Sequence, residues 1–188
     1  MKEPEIKKIT LVTGNPNKLK EIKAIAAGRL DISSMAIDLP EIQSLDLQEI
    51  IDNKVKAAFA AVKAPVIVED VSAGLDGLEG LPGPFYKFFR AKLGDRILVK
   101  LAESAKNDRI TIKCMAAYYD GHKIIYGLGT IRGRVVEPRG NNGFGFDPLV
   151  IPDGYKRTMA EMSIEQKQTI SHRGLAFKEL FTKLESLL

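Results

Sequence analysis

The spacing of apolar residues changes period several times along the chain, and each change marks an element. Residues 6–12, IKKITLV, have the β-branched content of a first strand, and residues 15–27 follow as a helix with Leu19, Ile22, Ile25 and Ala26 near one face. Residues 30–37 predict a second strand. A helix opening after Ser44 and running to about Val62 sets Ile50 or Ile51, Val55, Ala58, Phe59 and Val62 on one stripe and leaves Lys54 off it. Val66, Ile67 and Val68 predict a buried strand that closes at Glu69 and Asp70. Residues 84–92 read as a helix with Phe85, Phe88 and Phe89 available for packing, and residues 94–105 as another. Two β-rich runs, 108–120 and 122–137, flank Asp120-Gly121, a strong hairpin signal. Ser163 with Gln166 matches a capping box, and Ser171 opens a last helix whose Ala176, Leu180, Phe181, Leu184 and Leu187 face inward. Parallel βα units followed by a hairpin predict a mixed-sheet α/β or α+β domain with ligand at its strand ends.

Composition narrows the class. At 188 residues, 45% hydrophobic and 28% charged, the chain reads as one globular domain spanning residues 1–188, without repeats or low-complexity runs. The N-terminal segment is charged and only briefly apolar, unlike a signal peptide, and nowhere do about 18 apolar residues run together. A cytoplasmic location is therefore expected, with no membrane partner. The single cysteine, Cys114, excludes an internal disulfide and a cysteine cluster for zinc, and its place in an alternating run predicts a buried packing role. Residues 1–30 hold seven Lys or Arg against three Glu, and the rest of the chain balances, so the formal charge of +4 is an N-terminal excess. So local an imbalance fits a phosphate-bearing small molecule better than duplex DNA.

Three stretches carry candidate chemistry. TGNPNK, residues 13–18, puts Gly14 at a strand-to-helix turn, Asn15 at a cap position, proline in the first helical turn and Lys18 about one turn in. Backbone amides and a lysine there suit phosphate at a helix N-terminus, although the P-loop pattern is missing and an ordinary capped helix reads the same way. Glu69 and Asp70 precede a run with Gly74, Gly77, Gly80 and Gly83, either a ligand loop or a solvated surface loop. RGNNGFGFDP interleaves glycines with Phe144 and Phe146 and ends at Asp147, which suits rings stacking on a heterocycle or an aromatic plug over the core. His172 and Arg173 sit in the first turn of the last helix, where cations oppose the helix dipole and favour a ligand with acceptors.

Taken in order, TGNPNK (13–18), DLPE (38–41), VED and GLPGPFYKFF (within 68–89), GFGFDP (143–148), DGY and AEMS (within 153–163) and SHR (171–173) resemble the inosine triphosphate pyrophosphatase, or Ham1-like, family. The resemblance spans nearly the whole chain. It implies hydrolysis of ITP, dITP or XTP to the nucleoside monophosphate and pyrophosphate, with Mg²⁺, in a homodimer. The implied fold is α/β, with a mixed, elongated sheet and flanking helices in two lobes around a central nucleotide-binding cleft.

The same resemblance implies roles for individual residues. Glu41 and Asp70 match the metal carboxylates. Asp70 matches the proton acceptor, and Asp70 or Glu69 would position the attacking water. Thr13, Gly14, Asn15 and Lys18 match triphosphate contacts, with Lys18 and Lys54 offsetting charge on the phosphates. Phe144, Gly145 and Phe146 would border the base, and Asp147, Lys167, His172 and Arg173 would contact base or sugar-phosphate edges. Phe146 stands where relatives commonly have Tyr or Trp, so the ring face is kept and its polar handle lost. At Val71, where bacterial relatives often have Ser, only a backbone contact carries over. Two other readings remain: a broad nucleotide phosphatase releasing orthophosphate, and a nucleic-acid-binding module, which Glu41, Glu69 and Asp70 would oppose unless a metal intervened.

Overall fold

The computed structural model describes residues 8–26, 28 and 30–186. The start of the expected first strand, the end of the expected first helix and Leu187 fall outside those residues. The chain enters β1 (Lys8–Val12), which buries Ile9, Leu11 and Val12, and passes through α1 (Pro16–Ala26) to β2 (Asp31–Met35). β2 lies parallel to β1, with Lys8 opposite Asp31 and Val12 opposite Met35.

In α2 (Leu47–Val62), buried Leu47, Ile50, Ile51, Val55 and Ala58 recur at helical spacing and form its inner face. Its cap is Asp46, where the sequence suggests Ser44. The Asp46 carboxylate accepts from the Gln48 N–H at 2.8 Å, while Ser44 braces the turn before it, accepting from the Asp46 N–H at 3.0 Å and donating to Glu49 at 2.6 Å.

The next strand, β3 (Val66–Leu75), departs from expectation in a way that matters for the site. It does not close at Glu69 and Asp70 but continues to Leu75, because Ala73 and Gly74 pair antiparallel with Gly83 and Pro82 of β4 (Pro82–Gly83) and Ala73 and Leu75 are fully buried. Gly74 permits this closure: a Cβ there would stand 2.1 Å from the Gly80 carbonyl oxygen. The two acids are thus mid-strand residues.

The chain continues through α3 (Tyr86–Leu93), α4 (Ile97–Ala105), β5 (Arg109–Tyr119), β6 (Ile124–Val135), β7 (Val150–Pro152), α5 (Ile164–Ile170) and α6 (His172–Glu185). Residues 120–123 make the expected turn, where Asp120 Oδ1 accepts from the N–H groups of His122 and Lys123 at 2.9 and 3.0 Å. In α3 the expected burial is inverted: Phe88 and Phe89 are 53% and 37% exposed, and Tyr86 is the buried ring. Cys114 is fully buried, as expected, and Ala176, Leu180, Phe181 and Leu184 line the inner face of α6.

The strands form a seven-stranded mixed sheet in the order β2-β1-β3-β5-β6-β7, with β4 on β3, and helices flank it. The chain divides into two compact units. The first takes residues up to Asp70, Met115–Leu128 and the chain from Ala176; the second takes Val71–Cys114 and Gly129–Leu175. A cluster of Val12, Ile51, Val55, Ala58, Val66, Val68 and Ala117 forms the core of the first unit. Leu75, Leu98, Ile110, Ile112, Leu149 and Met159 centre the core of the second. Among the described residues, no helix is long and apolar enough to cross a membrane.

Candidate active site

In the first unit, the junction between β1 and α1 is a local hydrogen-bonded turn. Thr13 Oγ1 accepts from the Asn15 N–H at 3.2 Å, and Asn15 Oδ1 accepts from the Asn17 N–H at 3.0 Å, which makes Asn15 the side-chain cap of α1. Two amides that the sequence suggests are free are therefore engaged by side chains. Gly14 is glycine for no reason internal to the turn. Its φ lies outside the left-handed region, and a Cβ would meet only the Ala36 Cβ, at an ordinary 3.8 Å.

One turn into α1, Lys18 forms an ion pair with Glu69, whose side chain is 2% exposed. Successive residues of a strand face opposite ways. Glu69 accordingly meets Lys18 from α1, and Asp70 meets Lys54 from α2. Lys54 Nζ donates to Asp70 Oδ2 at 3.0 Å and to Glu41 Oε1 at 2.9 Å, so a single ammonium gathers the two acids that the family resemblance assigns to metal. Asp70 and Glu41 keep 17% and 30% of their side chains exposed and remain reachable. Val71, the next residue, turns its side chain toward the core of the second unit.

In the second unit, Asp147 and Lys167 form a buried ion pair at 2.6 Å. The carboxylate also accepts from the Phe144 N–H at 2.8 Å and so shapes the loop. Gly143 makes room for it: φ is +84°, and a Cβ would stand 2.2 Å from Asp147 Oδ2. Two cations lie over the half-buried Phe144 ring, Lys167 Nζ at 5.2 Å and Arg173 Cζ at 5.3 Å from its centre. Phe146 is only 7% exposed and packs on His172 at 5.3 Å and Tyr86 at 5.6 Å between ring centres. Of the two readings open to the sequence at Phe146, a stacking ring and a plug over the core, its burial matches the second: its side chain joins the hydrophobic cluster of the unit. His172 and Arg173, 1% and 3% exposed, follow Ser171, whose hydroxyl accepts from the Gly174 N–H at 3.0 Å. Gly145, with φ +68°, lies between the two rings.

Two residues without any periodic signal hold this loop. Thr158 Oγ1 donates to the Arg139 carbonyl at 2.8 Å, and Asn142 Nδ2 donates to the Met162 carbonyl at 3.2 Å, tying residues 139–142 to the turn at Met159–Glu161.

Among the described residues, no group of three or more His, Cys, Asp and Glu side chains could hold a metal ion by itself. Glu41 and Asp70 are two hard, partly exposed carboxylates. Such a pair fits Mg²⁺, which commonly takes one or two protein carboxylates and completes its octahedron with phosphate oxygens and water.

The acids, the lysines and the strand-end turn carried on a seven-stranded mixed sheet define a mixed α/β protein with the polar equipment of an enzyme. The same fold occurs in the Ham1 protein of Staphylococcus aureus, with a TM-score of 0.81, 26% identity and coverage of 97% of this chain and 100% of that one. A Ham1 protein from Coxiella burnetii superposes with a TM-score of 0.79 at 26% identity, covering 95% of this chain and 98% of that one. The chain belongs to the Ham1 family, whose model matches residues 9–183. It is 41% identical over 176 residues to inosine triphosphate pyrophosphatase 2 of Trypanosoma cruzi, covering 92% of this chain and 90% of that protein. It is 39% identical to the inosine triphosphate pyrophosphatase of Schizosaccharomyces pombe, covering 96% and 97%. Identity to the dITP/XTP pyrophosphatase of Saccharolobus solfataricus is 38%, covering 95% and 94%.

Proposed function

We propose that this protein hydrolyses deaminated purine nucleoside triphosphates, namely ITP, dITP and XTP, to the monophosphate and pyrophosphate. The proposal extends to Mg²⁺ dependence, a homodimer and a cytoplasmic site of action. The observation that carries it is the Lys54 ammonium, 2.9 Å from Glu41 and 3.0 Å from Asp70. Relatives named inosine triphosphate pyrophosphatase and dITP/XTP pyrophosphatase, matched over nearly their whole lengths, support the same reading.

Thr13, Gly14 and Asn15 line the phosphate end of the substrate, with Lys18 held in place by Glu69. Glu41 and Asp70 would hold Mg²⁺, which when bound offsets phosphate charge and lowers the pKa of water. Asp70 orients the attacking water. The oxygen of that water forms a bond to the α-phosphorus and gives up a proton to the Asp70 carboxylate, while the bond from that phosphorus to the bridging oxygen breaks and pyrophosphate leaves with the electron pair. Lys18 and Lys54 stabilise the charge that grows on the leaving group. Phe144 and Phe146 border the base, and Asp147, Lys167, His172 and Arg173 present the polar groups that read it. A 6-oxo purine offers an acceptor to the Arg173 guanidinium, where adenine offers a competing donor.

The test is a panel of ITP, XTP, ATP and GTP with Mg²⁺ and with chelator, scored separately for pyrophosphate and orthophosphate. The reading expects pyrophosphate from ITP and XTP only when metal is present. Orthophosphate as the first product would replace it with a broad nucleotide phosphatase.

A further inference from the structure

The hydroxyl of Tyr86 is buried and finds no hydrogen-bond partner among the described residues. The residue is 7% exposed and begins α3, and its ring lies 5.6 Å from that of Phe146 at a tilt of 53°. Phe146 in turn contacts His172, and Asp147 follows it in the chain. Burial pushes the Tyr86 phenol up to about 12, against a lowering by Arg90, and Asp95 and Asp147 raise it further, so the group is a neutral donor at physiological pH. A buried hydroxyl without a partner is uncommon in a folded protein, and phenylalanine would fill the same space without the desolvation cost. An orphan donor beside Phe146, where the chain lacks the polar handle of a Tyr or Trp, is explained if a ligand supplies the acceptor.

We propose that Tyr86 is a third aromatic of the purine-binding wall and that its hydroxyl donates a hydrogen bond to the base of the bound nucleotide. This rests on the reading of Phe146, Asp147, His172 and Arg173 as the base site, and adds to it a residue from α3 that assists recognition of the base and takes no part in the chemistry at phosphorus. The phenol supplies the donor that Phe146 cannot.

Tyr86→Phe removes one oxygen and keeps the ring. The measurements are kcat and KM for ITP, the inhibition constant of inorganic tripolyphosphate, which has phosphates and no base, and the melting temperature without ligand. The expected result is a KM for ITP raised about tenfold, the size of one neutral hydrogen bond, with tripolyphosphate inhibition within about twofold of wild type. The melting temperature should hold or rise, because a buried unsatisfied group has been removed. An unchanged KM for ITP would overturn the proposal, as would an equal weakening of ITP and tripolyphosphate. A lower melting temperature with unchanged KM would overturn it too, by assigning the hydroxyl a partner in the protein. Wild-type protein that leaves ITP intact would overturn the base-site reading together with this one; active wild type matched by Tyr86→Phe would overturn this one alone.

Discussion

Gly14 offers the cleanest separation of fold from function. A methyl group there meets only Ala36, at 3.8 Å, and the backbone is not left-handed, so Gly14→Ala should keep the melting temperature of wild type. If phosphate oxygens approach this backbone, the added carbon displaces them, and a shift of about 1 Å in a reacting group can cost on the order of 100-fold. The expectation is a fall in kcat/KM for ITP of tenfold or more, by roughly that reasoning, in a protein whose thermal melt is unchanged. Asp70→Asn makes the complementary test. It preserves shape and removes the charge that would hold the metal, while Glu41 remains to pair with Lys54. Turnover measured at saturating ITP and Mg²⁺ should drop by about 100-fold or more, as expected when an interaction made in the transition state is lost. Near-normal kcat would remove Asp70 from the chemistry.

The loop before β7 is stabilised by a buried charge pair rather than by regular structure. Removing one partner of such a pair leaves the other desolvated, at a cost of about 3–5 kcal/mol. Lys167→Met should therefore lower stability in a denaturant melt by roughly that amount, and Gly143→Ala, which pushes on the Asp147 carboxylate from 2.2 Å, should destabilise the same loop. In the first unit, Tyr126 on β6 donates to Asp52 on α2 at 2.5 Å. Burial first, and then the bond to Asp52, raises its pKa from 10.0 to about 12. The folded protein thus holds this proton more tightly than the unfolded chain does. The stability it confers is complete below pH 10.0 and is lost as the pH rises through about 12, so Tyr126→Phe should flatten the alkaline loss of stability followed by denaturant melts across that window.

How much was legible before the structure follows from element length. α2, β5, β6 and α6 are long enough for a period to declare itself, and each lies close to where the sequence puts it. β4 and β7, two and three residues long, are too short to show one. The eight-residue α3 spans barely two turns, too few for a period to show that Tyr86 and not Phe88 or Phe89 forms its inner face. The glycines after Asp70 suggest a loop because propensity cannot see that Gly74 pairs in a strand at a point where a side chain would collide with the Gly80 carbonyl. The acids and lysines stood out by type and motif. That Lys54 bridges Glu41 and Asp70, and that Lys18 holds Glu69, are long-range pairings set by the strand faces and not by spacing.

Taken as a whole, the chain combines a modest positive charge, a sheet shared by two compact units and acids that would repel a nucleic-acid backbone. That balance favours a small polyanion carried with a divalent cation over an oligonucleotide. The homodimer is open to direct measurement: light scattering across a dilution series at micromolar protein should return twice the mass of the chain, and a monomer throughout would remove that part of the account. The central claim is attack by water on the α-phosphorus with pyrophosphate leaving. Hydrolysis of ITP in oxygen-18 water, with both products analysed by mass spectrometry, tests it most directly. The account predicts one labelled oxygen in inosine monophosphate and none in pyrophosphate, whereas label in pyrophosphate, or in free orthophosphate released as the first product, would contradict it.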